Sequence, residues 1–335
     1  MPAVDNILQE SGISVVDFSG FLDGSDKQVV ASAILSSFKR VGFVYLLNHG
    51  IPQERAAKMF AASKEFFDQP LDVKQLAPHP PSGTHHRGYS SPGREKVIQY
   101  GYDADPDVSS GSSAEAPDFK EHFECGSEPN DSCPNIWLPD GMLPGFKETC
   151  LEFFHLCYEV QLNILQALAV GLGLDENYFR QYHSTPAENQ LRLLHYPSVS
   201  ADAAVGRISA HSDYASITLL LQDETGGLEI EDPYAPGVFR PAPPIRDALI
   251  VNAGDFMMRW SNDTIKSTVH RVRAPPTLAG ADGMIPARYS IPYFCAADPD
   301  TVVDCIPGTW DDEHPKKYEP ISAGEYVSKR LAAAY

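Results

Sequence analysis

Along the chain the spacing of apolar residues changes several times, and each change marks an element. Ile13-Ser14-Val15-Val16-Asp17-Phe18 is a compact apolar run of strand type, and the segment after it carries Val30, Ile34 and Phe38 at the four-residue spacing of an amphipathic helix. Residues 42–47 (Gly-Phe-Val-Tyr-Leu-Leu) have no polar side chain apart from one tyrosine hydroxyl, which predicts a buried strand closed by the Asn48-His49-Gly50 turn. Mixed polarity returns over roughly residues 53–67, where Phe60 and Phe67 mark the inner face of a second helix that stops before Pro70. The opening therefore reads β-α-β-α.

Residues 77–126 are rich in Pro, Gly, Ser, Asp and His, and the polar tract from Asp103 to Glu115 predicts a mobile surface loop of the kind that covers sites. The strongest helical pattern lies between Leu143 and Leu174, where Leu151, Phe154, Tyr158, Leu162 and Leu165 step by three and four, predicting one long helix packed on a sheet. From Gln190 onward short apolar runs alternate with turn signals at Thr225-Gly226-Gly227, Tyr234-Ala235-Pro236-Gly237 and Ala253-Gly254-Asp255, the pattern of an antiparallel barrel or sandwich. Tyr318 to Tyr335 predicts a last helix. Two parts of one integrated unit are expected: residues 1–142, the β-α-β-α segment with lid loops, packed on residues 143–335, the long helix, the barrel and the C-terminal helix.

Composition narrows the function classes. With 335 residues, 43% hydrophobic and 21% charged, the chain can bury a sizeable core and is not of disordered type. Forty-five acidic against 26 basic side chains give a net charge of -19, which repels phosphates and anionic lipid, so neither nucleic acid nor membrane is an expected partner. Six cysteines without a CxxC pair predict reduced, mostly buried thiols. The start has no basic region followed by an apolar run, and no stretch approaches membrane-spanning length, so the expected location is cytoplasmic. Oligomeric state is not legible.

His211-Ser212-Asp213 precedes the strand-like run from Ser216 to Leu221, and side chains two apart in an extended segment share a face, so an imidazole and a carboxylate can converge on one cation. Alone, that spacing also fits a hydrogen-bonded turn. His270, inside Ser267-Thr268-Val269-His270-Arg271-Val272, changes the balance, because two histidines and one carboxylate match the facial triad that holds non-haem Fe(II) and leaves positions open. Arg288-Tyr289-Ser290 then offers a guanidinium fork and a hydroxyl on one strand face, suited to directional binding of a terminal carboxylate.

In these motifs the chain resembles the iron(II)- and 2-oxoglutarate-dependent dioxygenases of the isopenicillin N synthase-like group, particularly fungal secondary-metabolite members. The resemblance runs through residues 13–17, 42–52, Phe66-Phe67-Asp68-Gln69-Pro70, Arg87-Gly88-Tyr89, Lys120-Glu121, residues 191–197, Val251-Asn252-Ala253-Gly254-Asp255, residues 267–272 and Arg288-Tyr289-Ser290. It implies a mainly β fold with flanking helices, a double-stranded β-helix or jelly-roll barrel. It also implies that His211, Asp213 and His270 ligate the catalytic iron, and that Arg288 and Ser290, assisted by Tyr196, hold the distal carboxylate of 2-oxoglutarate. The cofactor set would be Fe(II), 2-oxoglutarate and O₂, with ascorbate as an accessory reductant.

The implied reaction couples oxidative decarboxylation of 2-oxoglutarate to oxidation of a small organic molecule in secondary metabolism, hydroxylation by default and otherwise desaturation, ring closure or ring expansion. An intact Asp213 argues against the related halogenases, which lack this carboxylate. Two departures stand out: Leu194 where many plant members have Asn, and a longer stretch from Arg273 to Ala287. Two rivals remain: an oxidase of the same fold that does not use 2-oxoglutarate, and a non-catalytic binding protein. The latter is disfavoured because His211, Asp213, His270, Arg288 and Ser290 are all intact.

On the substrate side, strand alternation places Arg192 and Leu194 on the face of Tyr196. A guanidinium there needs an anionic partner, either a buried Asp or Glu or an acidic or phenolic substrate. Phe256, which precedes the distal ligand together with Trp260 and Asn262, is assigned to the substrate surface, with aromatic core packing as its alternative. His85-His86-Arg87-Gly88-Tyr89 reads as a solvated loop or the pocket rim, Lys120-Glu121 as rim-ordering residues or surface pairs, and His49 as a structural cap beside Gly50.

Overall fold

The computed structural model describes residues 11–81, 86–94, 118–201, 206–274, 279–280 and 282–334; His85 and the tract from Asp103 to Glu115 lie outside the described residues. In chain order the strands are β1 (Ser14–Asp17), β2 (Phe43–Leu47), β3 (Gly88–Ser90), β4 (Glu121–Cys125), β5 (Gln190–Tyr196), β6 (Val199–Ser200) and β7 (Gly206–His211). They continue with β8 (Ile217–Gln222), β9 (Leu228–Glu231), β10 (Phe239–Pro241), β11 (Leu249–Ala253), β12 (His270–Arg273), β13 (Met284–Ile285) and β14 (Arg288–Cys295). Eight form a sheet in the order β1-β2-β11-β8-β14-β5-β4-β3, and four form a second sheet in the order β10-β9-β12-β7. The N-terminal strands thus extend the same sheet as the barrel strands, β2 pairing antiparallel with β11 and β4 with β5.

Alternation explains the two cores. In β2, Phe43 and Tyr45 meet Leu194, Tyr196, Ile250, Ile208, Leu228, Ile230 and Val272 between the sheets, whereas Val44 and Leu46 join Val251, Leu193, Leu219 and Tyr293 on the helix-covered face. That is why residues 42–47 show no polar alternation: both faces of β2 are covered. The covering helices are α1 (Ser19–Leu22), α2 (Lys27–Val41), α3 (Gln53–Phe67), α4 (Leu71–Lys74) and α5 (Phe146–Gly171), followed by α6 (Asp255–Trp260) and α7 (Ala323–Ala334).

Helix α5 buries Cys150, Phe153, Phe154, Cys157, Val160, Ile164, Leu165 and Leu168 along one stripe. Its ends fall inside the expected 143–174 because Gly145 and Gly173 adopt left-handed φ of 81° and 74°. The inner face of α3 is Met59, Ser63, Phe66 and Phe67, with Phe60 only half-buried at its edge, a correction to the expected pairing. The C-terminal helix begins at Ala323 rather than near Tyr318, since Pro320 breaks the pattern and Ile321–Ser322 pair with Val302–Val303. All six thiols are free, five of them buried and Cys133 half-buried. Among the described residues no helix is long and apolar enough to cross a membrane.

Candidate active site

A cavity of about 480 Å³ opens between the two sheets, a size suited to a small-molecule ligand. His211 at the end of β7 and His270 at the start of β12 are register partners, which sets their rings 4.4 Å apart, and Asp213 follows two residues after the strand. The Nε2 atoms of His211 and His270 lie 4.0 and 3.9 Å from the same oxygen, Asp213 Oδ1.

The surroundings orient all three. Nδ1 of His211 donates to the carbonyl of Ser209 at 2.8 Å and Nδ1 of His270 to that of Thr268 at 3.1 Å, so each ring turns an Nε2 lone pair toward Asp213. Burial and the neighbouring His270 push the His211 pKa down, which keeps that ring neutral. Burial disfavours ionisation of Asp213, but the adjacent imidazoles and two hydrogen bonds outweigh it and hold its pKa below the usual value. Those bonds come from Thr218 Oγ1 at 2.6 Å and Asn252 Nδ2 at 2.7 Å, both to Oδ2, and leave Oδ1 to the imidazoles. Thr218 on β8 and Asn252 on β11 are cross-strand neighbours, so sheet register supplies the pair. Neither received a role from the sequence, although Asn252 lies in a segment of the resemblance, because a threonine and an asparagine inside apolar runs carry no spacing signal.

Behind the triad, Asp255 accepts from Ser212 Oγ, Ser267 Oγ and Arg330 Nη2 at 2.9, 2.6 and 2.7 Å, tying together the segments that carry the triad. Gly254 makes this approach possible: a Cβ there would sit 2.1 Å from the Ala215 carbonyl oxygen and 3.0 Å from that of Asp213. Gly254→Ala is therefore expected to cost on the order of 1–3 kcal/mol of stability and to reduce retained metal, which thermal melting and metal analysis together would check.

At the other end of the cavity Arg288 is buried beside Tyr196, its register partner, with its guanidinium 4.9 Å from the centre of the tyrosine ring. It donates to Ser290 Oγ at 3.0 Å and to Gln222 Oε1 at 3.1 Å, while its Nε is buried without a hydrogen-bond partner. A second guanidinium, that of Arg207, is fully buried 5.8 Å from the same ring; only its Nη2 is satisfied, by the Pro286 carbonyl at 2.8 Å. Burial and the nearby charge of Arg288 lower the Arg207 pKa. Two cations with orphaned N–H groups and, among the described residues, no carboxylate in ion-pair contact make a pocket short of an anion, which fits the distal carboxylate of a 2-oxo diacid. Arg207 escaped sequence reasoning because an arginine on a short strand reads as a surface residue.

The substrate side resolves several alternatives. Alternation holds along β5: Gln190, Arg192, Leu194 and Tyr196 all line the cavity. The anionic partner of Arg192 is Glu124, its register neighbour on β4, at 2.5 Å from Arg192 Nε. Burial alone would raise the Glu124 pKa, but the Arg192 guanidinium and His122 hold it well below the usual value. Phe256 does not reach the cavity. It packs on Trp260 and Tyr326 in the helix-side core at 2% exposure, because α6 starts at Asp255 and each residue turns the helix by about 100°. Asp255 then faces the triad segments and Phe256 does not.

His86, Arg87 and Lys120 are buried and line the cavity, so the solvated reading of that segment is replaced by a wall. Glu121 is buried too, accepting from Lys74 Nζ at 2.8 Å, and Tyr89 Oη also donates to it. His49 is structural, its Nδ1 accepting from the Ile51 amide at 3.2 Å, with Gly50 at φ 95°.

A mainly β molecule whose two facing sheets bring two histidines and one carboxylate into one cavity, opposite a buried arginine, is a non-haem metal-dependent oxygenase in class. Residues 187–297 match the 2OG-Fe(II) oxygenase superfamily model, and residues 13–140 match the model for the N-terminal region of non-haem dioxygenase in morphine synthesis. The chain is 37% identical over 328 residues to proline hydroxylase buaE of Petromyces alliaceus, covering 96% of this chain and 98% of that one. It is 36% identical over 320 residues to the 2-oxoglutarate-dependent dioxygenase frbA of Dothideomycetidae sp., covering 93% and 94%. Among solved structures, a full-length Neurospora crassa protein in complex with alpha-KG and thymine superposes with a TM-score of 0.85 at 42% identity, covering 96% of this chain and 97% of that one. The chain belongs to the 2OG-Fe(II) oxygenase superfamily: it is a 2-oxoglutarate-dependent dioxygenase of jelly-roll fold that uses Fe(II) and 2-oxoglutarate.

Proposed function

We propose that His211, Asp213 and His270 hold the catalytic iron and that Arg288, Ser290 and Tyr196, with Arg207 behind them, hold the distal carboxylate of 2-oxoglutarate. The observation that carries the first assignment is that both imidazoles commit their Nδ1 protons to carbonyls and present Nε2 lone pairs to one oxygen of Asp213. When bound, iron with 2-oxoglutarate and O₂ supplies an oxidant that removes a hydrogen from carbon, with succinate and CO₂ as co-products. The chain's own work is positional. Thr218 and Asn252 orient Asp213, the buried guanidiniums fix one end of the cosubstrate, and the covered walls keep water away.

The substrate enters on the side of Arg192 and Lys120, whose cationic groups, with the Phe294 ring, suit a small molecule bearing carbonyl or carboxylate oxygens. Thymine in the Neurospora crassa complex is one molecule of that kind. Hydroxylation in fungal-type secondary metabolism, in the cytoplasm and with ascorbate as accessory reductant, is the reading we favour, supported by relatives such as the proline hydroxylase.

The test is an anaerobic titration of Fe(II)-loaded protein with 2-oxoglutarate, expected to give the weak visible charge-transfer band of a bidentate 2-oxo acid on iron. Iron binding without the band would sink the cosubstrate assignment, and absence of iron binding would sink the metal assignment. Once a substrate is found, Arg192→Ala is expected to raise its KM by about tenfold or more while leaving the 2-oxoglutarate KM unchanged. Equal rises in both would remove Arg192 from the substrate side.

A further inference from the structure

Glu124 is surrounded in a way that repeats the arrangement at Asp213. One oxygen, Oε1, is taken by side-chain donors from the facing strand, Arg192 Nε and Gln190 Nε2. The other, Oε2, faces three imidazoles: His79 Nε2 at 3.6 Å, His86 Nδ1 at 3.7 Å and His122 Nε2 at 3.5 Å. At Asp213 the division is the same, with Oδ2 held by Thr218 and Asn252 and Oδ1 given to the imidazoles.

The Glu124 cluster is deeply buried, Glu124 at 0%, His122 at 2%, His79 at 6% and His86 at 9% exposure. Ligand atoms of His79, His86 and Glu124 all lie within 4.8 Å of one another, as do those of His211, Asp213 and His270.

The proton count at His79 shows what is missing. Its Nδ1 contacts the Pro80 carbonyl at 2.7 Å, and a carbonyl only accepts, so the ring proton is on Nδ1. Nε2 then turns a lone pair toward Glu124 Oε2 at a separation beyond hydrogen-bond length, and neither atom has a hydrogen-bond partner. Two buried acceptors facing each other repel and cost desolvation unless a cation lies between them. Nitrogen-to-oxygen separations of 3.5–3.7 Å are close to the edge of a tetrahedron with metal–ligand distances of about 2.0–2.1 Å, which is about 3.4 Å.

The backbone holds the donors in place. His122 and Glu124 are two apart on β4 and share a face, His86 leads into β3, and the amide of His79 donates to the Tyr89 carbonyl on β3 at 2.9 Å.

We propose that His79, His86 and Glu124 form a second divalent-metal site of the Zn²⁺ type, with a fourth position left to solvent, separate from the triad and beside the substrate end of the cavity. Two imidazoles and one carboxylate are a protein donor set suited to a borderline divalent ion that keeps one position for solvent. Its role is structural. The ion fixes Glu124, and through Oε1 Glu124 fixes Arg192 and Gln190, both of which line the cavity. The proposal does not depend on the reaction catalysed.

The test uses full-length protein whose triad is disabled by His211→Ala with Asp213→Ala, so that metal at the catalytic centre cannot be counted. After equilibration with Zn²⁺ and gel filtration, this variant is expected to retain about one equivalent, and its thermal midpoint should rise with added Zn²⁺. With Co²⁺ instead it should show the intense visible bands of a four-coordinate ion. Adding His79→Gln or Glu124→Gln should remove the equivalent, the thermal shift and the bands together.

A triad-disabled protein that folds and binds no Zn²⁺ overturns the proposal, and this arm needs no change within the cluster. Zinc that survives both His79→Gln and Glu124→Gln is bound elsewhere and also overturns it.

Discussion

Asp213→Ala is expected to lower turnover by about a thousandfold or more while the protein still folds. The carboxylate contributes the one negative charge among the three groups that meet at the triad. Removing it leaves two imidazoles without a negative ligand, which hold a divalent ion far less well. It also strands the buried Thr218 hydroxyl and Asn252 amide, at a cost of about 1–3 kcal/mol, a loss that thermal melting separates from the loss of activity. Thr218→Val and Asn252→Ala, which spare the ligand and remove one orienting bond each, should cost about 10–100-fold in iron affinity. Iron content after gel filtration and single-turnover rates decide the matter. Asp213→Ala retaining full iron and turnover within tenfold of wild type would overturn the ligand assignment.

Arg288→Met is expected to raise the 2-oxoglutarate KM by about a hundredfold or more, the scale of losing a bidentate charge-assisted contact in a dry site. Arg288→Lys should recover only part of this, because an ammonium cannot reach Ser290 and a carboxylate with the same fork geometry. The companion expectation concerns stability. In the free protein Arg288 and Arg207 lie close together on Tyr196, with repulsion between them and, among the described residues, no carboxylate in ion-pair contact with either.

Removing one charge relieves that repulsion, so cosubstrate-free Arg288→Met should melt no lower than wild type. Wild type should gain thermal stability on adding 2-oxoglutarate and the variant should not. A variant that melts well below wild type and is equally stabilised by 2-oxoglutarate would show that Arg288 serves packing instead.

Much of the site was legible because its chemistry depends on short spacings. His211 and Asp213 are two apart, Arg288 and Ser290 are two apart on one strand, and alternation along β5 correctly placed Arg192, Leu194 and Tyr196 on the cavity wall. The helices were legible where a stripe was long, as in α5, and less so where it was short. In α3 the inner face fell on Met59 and Phe66 rather than Phe60, because a 15-residue helix with few apolar positions fits more than one stripe.

Phe256 shows the limit most clearly. Its proximity to Asp255 in the chain suggested the substrate surface, but a short helix sends adjacent residues to different sides, and nothing in a single sequence states where that turn begins.

The sequence by itself determined the fold class and the acidic net charge and singled out His211, Asp213 and His270 and the Arg288–Ser290 pair as candidates, through local periodicity, spacing, motif resemblance and composition. Only the tertiary structure decided which groups meet across the sheets. Glu124 became the partner of Arg192, Arg207 a second buried cation beside Tyr196, Thr218 and Asn252 the orienters of Asp213, and His79, His86 and His122 the neighbours of one carboxylate oxygen. The physical reason is that these contacts are set by strand register and by chain segments far apart in sequence. Register is fixed by packing of the whole sheet, because a slip of one residue turns every side chain to the opposite face.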